Sequence, residues 1–182
     1  MTLAQKAVFL DRDGVLNRLV SRDGGMVSPR TLAEFELFPW TSTALTRLAD
    51  HGYELIVVTN QPDISRGLLE ESELEKMHQE LRALTPIVHI YVCSHDSDYG
   101  CNCRKPQPGL LLWAAQDLNL DLCSSWTIGD RDIDLVAGQR AGTQTVFIQG
   151  GQQEFPATQT TTVVPDLDSA TSYILSSQFR TA

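Results

Sequence analysis

Two carboxylates stand one residue apart at Asp11 and Asp13, at the end of the apolar run Ala7-Val8-Phe9-Leu10 and just before Gly14. A carboxylate can attack phosphorus and carry it as an aspartyl-phosphate. A second carboxylate beside it can protonate the leaving oxygen and then activate water. Paired hard oxygens also suit Mg²⁺. Alone, Asp-Arg-Asp-Gly also reads as a solvated turn. The phosphoryl-transfer reading gains weight because the pattern recurs. A second apolar run, Glu54 to Val58, ends in Thr59-Asn60-Gln61. Thr59 there either holds a phosphoryl oxygen or caps the next segment. A third run, Trp126-Thr127-Ile128, ends in Gly129-Asp130-Arg131-Asp132-Ile133-Asp134. Asp130 is suited to complete a Mg²⁺ site with Asp11 and Asp13. Asp134, one helical turn on, either orients a neighbour or, like Asp132, favours a helix N-terminus.

A different chemistry sits between these runs. Cys93, His95, Cys101 and Cys103 offer three thiols and an imidazole within eleven residues. That set can surround Zn²⁺ tetrahedrally and leaves no open position, so the expected role is structural. Cys123 stands apart and reads as a small buried hydrophobe. Arg104-Lys105-Pro106 follows the cluster directly, and a Lys there can balance charge developing on a phosphoryl group.

The elements that must position these residues follow from periodicity. Strands are expected at 7–11, 54–58, 87–92, 126–128 and 143–148, with Val163-Val164 as a short edge strand. Their near-continuous apolar character is that of parallel strands covered on both faces. Between them come a helix opened by Pro39 and closed at His51-Gly52, a helix over 71–84, one after Gly109, and a closing helix over 166–177 capped by Asp166 or Asp168. Leu74, Met77 and Leu81 read as core, His78 as surface or satisfied, and the Leu110, Leu111, Trp113, Ala114, Leu118 stripe as core. Residues 12–38 read as a long irregular loop, and 150–153 as a flexible connection. Alternation of strand and helix implies βαβ units, a three-layer Rossmann-like α/β fold with a parallel sheet. Ligands of such sheets bind outside the carboxyl ends of the strands, where the candidate residues collect.

The chain has 182 residues, 42% of them hydrophobic, which fits one domain over 1–182. A net charge of −9 argues against binding driven by nucleic-acid phosphates. Local arginines still allow a small phosphorylated metabolite. No run is long enough to span a membrane, and Met1–Lys6 has no signal-peptide core. A cytoplasmic monomer is expected.

With these motifs assembled, residues 7–148 resemble the haloacid dehalogenase superfamily of phosphatases. Asp11-Arg12-Asp13-Gly14 matches its first motif, Thr59 its second, Lys105 its third, and Gly129-Asp130 with Asp134 its fourth. The cysteine loop at 93–103 followed by Arg104-Lys105-Pro106 is similar to the branch containing heptose bisphosphate phosphatases and histidinol-phosphate phosphatases. The resemblance implies no large cap domain and a zinc-stabilised loop. It makes Asp11 the nucleophile and a Mg²⁺ ligand, Asp13 the general acid/base with its backbone carbonyl on the metal, and Asp130 the remaining carboxylate on Mg²⁺. Thr59 and Lys105 would hold the phosphoryl group. Asn60, Gln61, Arg66, Arg104 and Arg131 would contact substrate or frame its pocket. Cys93, His95, Cys101 and Cys103 would bind structural Zn²⁺. A sugar bisphosphate, heptose first, is the expected substrate. Histidinol phosphate is the alternative, because the short spacer between His95 and Cys101 resembles that group. A zinc-stabilised binding protein without activity is the rival of another class, and the intact acidic residues and Lys105 argue against it.

Overall fold

The computed structural model describes residues 4–150 and 161–177. The first strand, β1 (Ala7–Leu10), is short and fully buried. It ends in Asp11 and leads to a small hairpin, β2 (Val20–Arg22) and β3 (Gly25–Val27). Next come α1 (Thr41–Asp50), β4 (Glu54–Asn60), α2 (Glu71–Leu84) and β5 (His89–Cys93). Then α3 (Gly109–Leu118), β6 (Trp126–Gly129), α4 (Asp132–Ala141), β7 (Gln144–Ile148), β8 (Thr162–Val164) and α5 (Leu167–Ser177) complete the fold.

Six strands form one sheet in the order β5-β4-β1-β6-β7-β8, and every pairing is parallel. The two faces of β1 read directly from its alternation. Val8 and Leu10 pack into a core with Leu45 and Leu48 of α1 and Ala170 and Ile174 of α5. Ala7 and Phe9 pack against Leu110, Leu111 and Ala114 of α3 and Ala137 of α4. A strand covered on both faces needs apolar residues at every position, and β1 has them.

The chain runs outward from β1 through β4 to β5, then returns to β6 on the other side of β1. This reversal is a topological switch point, where a crevice opens at the carboxyl ends of the strands. Leu10 pairs with Val57 and with Ile128. That register brings Asp11, Thr59 and Asp130 to one edge.

The expected strands and helices all occur, with small shifts. The third strand starts at His89 rather than Ile87, and α1 starts at Thr41, two residues past Pro39. Asp166 caps α5 by accepting from Ser169 N at 2.8 Å. Three readings are corrected. Residues 12–38 are not all irregular. They contain β2–β3, strands too short to show period-two alternation, turned by Asp23 and Gly24 at positive φ. Cys123 is exposed, on a short turn capped by Asp121, and not a buried hydrophobe. Trp113 is half exposed, because α3 turns Leu110, Leu111 and Ala114 to the sheet and leaves it outside. The proposed connection at 150–153 lies, past Gly150, outside the described residues. Among the described residues no inserted domain stands between the motifs, and no helix is long and apolar enough to cross a membrane.

Candidate active site

A cavity of about 370 Å³ opens at the strand ends. Asp11, Asp13, Thr59, Asn60, Gln61, Arg66, Arg104, Lys105, Asp130 and Arg131 all line it, together with Asp134. Residues Met26, Val27, Ser28 and Arg30, in and after the hairpin, form its facing wall.

The floor is acidic and holds the buried ammonium of Lys105. Asp11, Asp130 and Asp134 bring carboxylate oxygens within 4.8 Å of one another. Lys105 Nζ lies 2.7 Å from Asp11 Oδ1 and 2.6 Å from Asp134 Oδ1, and it also donates to Val58 O at 2.7 Å. Burial works to lower the Lys105 pKa, but Asp11 and Asp134 outweigh it and hold the ammonium charged. For Asp11, burial is the largest effect. The Lys105 charge opposes it, Asp134 and Asp13 add to it, and the carboxyl is raised to about 6. Burial, then Asp11 and Asp134, raise Asp130 to about 8. Asp130 Oδ1 is buried with no hydrogen-bond partner. Crowded carboxylates with an unpartnered buried oxygen fit a divalent cation. Asp134 is otherwise committed, since its Oδ2 accepts from Arg131 N at 3.1 Å at the start of α4. That leaves Asp11 and Asp130 as the carboxylates available to a metal.

Two glycines make this approach possible. Gly14 has φ +91°, and a Cβ there would overlap Asp130 Oδ2. A Cβ on Gly129 would overlap the Asp134 side chain.

Asp13 is held differently. Asn17 Nδ2 donates to its Oδ1 at 2.9 Å, and Gln61 Nε2 donates to its Oδ2 at 2.7 Å and to Thr59 Oγ1 at 2.9 Å. Arg12 donates from Nε and Nη2, each at 3.0 Å. Burial works to raise the Asp13 pKa, and the Arg12 charge with these hydrogen bonds overrides it, so the net shift is downward.

The polar residues around the floor are tied largely to one another. The Asn60 amide clasps the Lys105 backbone, donating to its carbonyl and accepting from its N–H, both at 3.1 Å. Arg104 Nη1 donates to His95 O at 3.1 Å. Arg66 forks onto Asp96, with Nη2 2.6 Å from Oδ1, and also approaches Asp63. Arg30 Nε donates to Asp63 Oδ2 at 2.7 Å. A chain of ion pairs thus joins the loop after the hairpin, the loop after β4 and the cysteine loop. Arg12, Asn17, Arg30 and Asp63 were not singled out from the sequence. For Arg12, its place between two acids signals a charge partner but not its burial.

Cys93, His95, Cys101 and Cys103 gather apart from the cavity floor. Their Sγ atoms stand 3.3, 3.4 and 3.7 Å apart, and His95 Nδ1 is 3.2 Å from Cys103 Sγ. Tetrahedral ligands on ~2.3 Å bonds to Zn²⁺ lie about 3.8 Å apart, close to this spacing. The separations are too long for disulfides, and all four cysteines are free. Lys105 follows Cys103 by two residues, so a filled cluster would fix the loop that carries the site's buried ammonium.

The HAD-hydrolase-like family model matches residues 102–170. The D-glycero-beta-D-manno-heptose-1,7-bisphosphate 7-phosphatase of Pseudomonas putida is 38% identical over 154 residues, covering 82% of this chain and 85% of that protein. The protein of the same name from Pseudomonas aeruginosa is 36% identical over 155 residues, covering 82% and 84%. A crystal structure of D,D-heptose 1,7-bisphosphate phosphatase from B. bronchiseptica, complexed with magnesium and phosphate, superposes with a TM-score of 0.81 at 30% identity, covering 94% of this chain and 99% of that one. At this identity and coverage, with the fold matched over nearly the whole of both chains, the chain belongs to the HAD-like hydrolase family, in the branch that holds these heptose bisphosphate phosphatases.

Proposed function

We propose that this protein is a phosphomonoesterase acting on a heptose 1,7-bisphosphate, releasing the 7-phosphate through an aspartyl-phosphate on Asp11. The observation that carries the reading is the meeting of Asp11, Asp130 and Lys105 at adjacent strand ends in one polar cavity. The names of its relatives support the substrate, with the β-anomer first.

In this reading an Asp11 oxygen attacks phosphorus, and the bond from phosphorus to the sugar oxygen breaks as the new P–O bond forms. Asp13 gives its proton to the departing oxygen and then takes one from the water that attacks the aspartyl-phosphate. That second attack releases inorganic phosphate and restores Asp11. In the free site Asp13 is held ionised, and an arriving phosphate adds negative charge that favours its protonated form. Lys105 balances charge on the phosphoryl group, and the Thr59 hydroxyl donates to it. Asp11, Asp130 and the Asp13 backbone carbonyl would hold Mg²⁺, which when bound neutralises charge on the transferring phosphoryl oxygens. Cys93, His95, Cys101 and Cys103 would hold a structural Zn²⁺. Asn60 and Gln61 act chiefly by fixing Lys105 and Asp13, while Arg104 and Arg131 border the space for the rest of the substrate. The proposal takes the chain as one catalytic domain without a cap, working as a cytoplasmic monomer with no nucleic-acid partner.

The test is phosphate release with Mg²⁺ from both anomers of heptose 1,7-bisphosphate, fructose 1,6-bisphosphate and histidinol phosphate. The expected result is the highest kcat/KM for the β-heptose. Preference for histidinol phosphate, or release from none of the four, would overturn the substrate assignment.

A further inference from the structure

Arg12 heads the largest fully buried side chains among the described residues, and the chemistry above does not use it. A buried guanidinium must have its donors met. Its Nε and Nη2 fork onto the two oxygens of Asp13. Its face lies 5.7 Å from the Phe35 ring centroid. Its remaining edge, Nη1, lies 3.2 Å from Nε2 of His78, a residue 66 positions away on α2 and only 3% exposed. Guanidinium N–H groups donate and never accept. Nε2 of His78 is therefore the acceptor, and a neutral ring must carry its proton on Nδ1. Burial first, then the Arg12 and Arg82 charges, push the His78 pKa down to about 3 and agree with a neutral ring.

Resting on the reading of Asp13 as acid and base, we propose that His78 is a positioning residue for proton transfer: it holds Arg12 where the guanidinium fork fixes the plane of the Asp13 carboxylate. Asn17 and Gln61 hold single oxygens of Asp13, one each. Among the described residues only the fork engages both from one rigid group. Without the His78 lone pair, a buried Nη1 N–H has no acceptor there. The guanidinium then turns to find another, and the carboxylate turns with it.

The test separates positioning from general support of the fold by varying the leaving group. The value of kcat/KM runs through departure of the leaving group, the step in which Asp13 gives its proton. A sugar alkoxide needs that proton, and p-nitrophenolate leaves without it. His78→Leu keeps bulk and removes the acceptor, whereas His78→Gln returns an acceptor near the position of Nε2. In His78→Leu, kcat/KM for heptose bisphosphate should fall at least about tenfold further than for p-nitrophenyl phosphate. His78→Gln should recover most of that difference. The ratio of the two values within one preparation does not depend on the fraction folded. If His78→Leu is insoluble, His78→Met reads the same ratio. Equal losses on both substrates, or Gln no better than Leu, would overturn the inference while leaving the proposed function intact. A wild-type protein that hydrolyses neither substrate with Mg²⁺ would overturn both.

Discussion

Lys105 Nζ stands 2.7 Å from Asp11 Oδ1, although 94 residues separate the two in the chain. One comes from the end of the central strand and the other from the loop after the cysteine cluster. An ammonium buried beside a carboxylate keeps that carboxylate from being wholly neutralised by its burial. Asp11→Asn should reduce phosphate release by about 10⁴-fold or more, since an amide is no nucleophile here. It should also leave the melting temperature of the metal-free protein unchanged or higher, because burial and its acidic neighbours already disfavour the charge at this position. Substantial turnover in the purified variant would remove Asp11 from the role of nucleophile.

Gly14 offers a steric test of the metal site. Its positive φ and its approach to Asp130 leave no room for a methyl group. Gly14→Ala should cost about 1–3 kcal/mol of stability from backbone strain alone. Displacement of Asp130 should also raise the Mg²⁺ concentration needed for half-maximal activity, as read in a metal titration. An unchanged titration would show that Asp130 takes no part in holding the metal.

The raised carboxyls of Asp11 and Asp130 set a pH dependence. Both bind protons more tightly in the folded protein than in the unfolded chain. Their contribution to stability is full below the ordinary value of 3.8 and is lost as pH rises through about 6 and about 8. Lys105, with its pKa raised, stays charged across this window, and Asp13, with its pKa lowered, stays ionised. Mg²⁺ needs the ionised carboxylates, so its affinity should climb over the same range. The gain in Tm on adding Mg²⁺ should therefore be larger at pH 8 than at pH 5, with protons released on binding at the lower pH. A gain that does not vary with pH would contradict the assignment.

The cysteine cluster predicts a metal content. Elemental analysis of the purified protein should give one zinc per chain, and Cys101→Ala should give almost none. The variant should melt at least about 5 °C lower, and because Lys105 sits two residues past Cys103 it should lose kcat/KM as well. Full zinc content in Cys101→Ala would rule out the four-residue ligand set.

Much of the site was legible because each strand is an apolar run that stops abruptly at a polar residue. Asp11, Thr59 and Asp130 could be placed at one sheet edge from that alone, and the sheet register does bring them together. Arg12 could not be read this way. Between two acids it looks like a solvent-facing residue, and its burial depends on α2 delivering His78 and on Phe35 closing over it. Asn60, Gln61 and Arg66 have the chemistry of substrate contacts, yet Lys105, Asp13 and Asp96 occupy them. Those partners are distant in sequence, and nothing local to the three residues announces them. Trp113 and Cys123 belong to types that are usually buried; Trp113 is exposed because α3 turns its other face to the sheet, and Cys123 because it sits on a surface turn capped by Asp121.

The two walls of the cavity differ in how they are anchored. β1 is paired on both sides and wholly buried, and the Asp11 amide itself donates to Ile128 O at 3.0 Å. The hairpin opposite is a two-stranded sheet on its own, a unit of marginal stability. Deuterium exchange should therefore divide the pocket in two. The amides of β1 through Asp11 would be among the last to exchange, at the cost of global unfolding, while those of β2 and β3 exchange through local opening. Sequence drift in residues 20–27 can then reshape what enters the cavity without loosening the strand that carries Asp11.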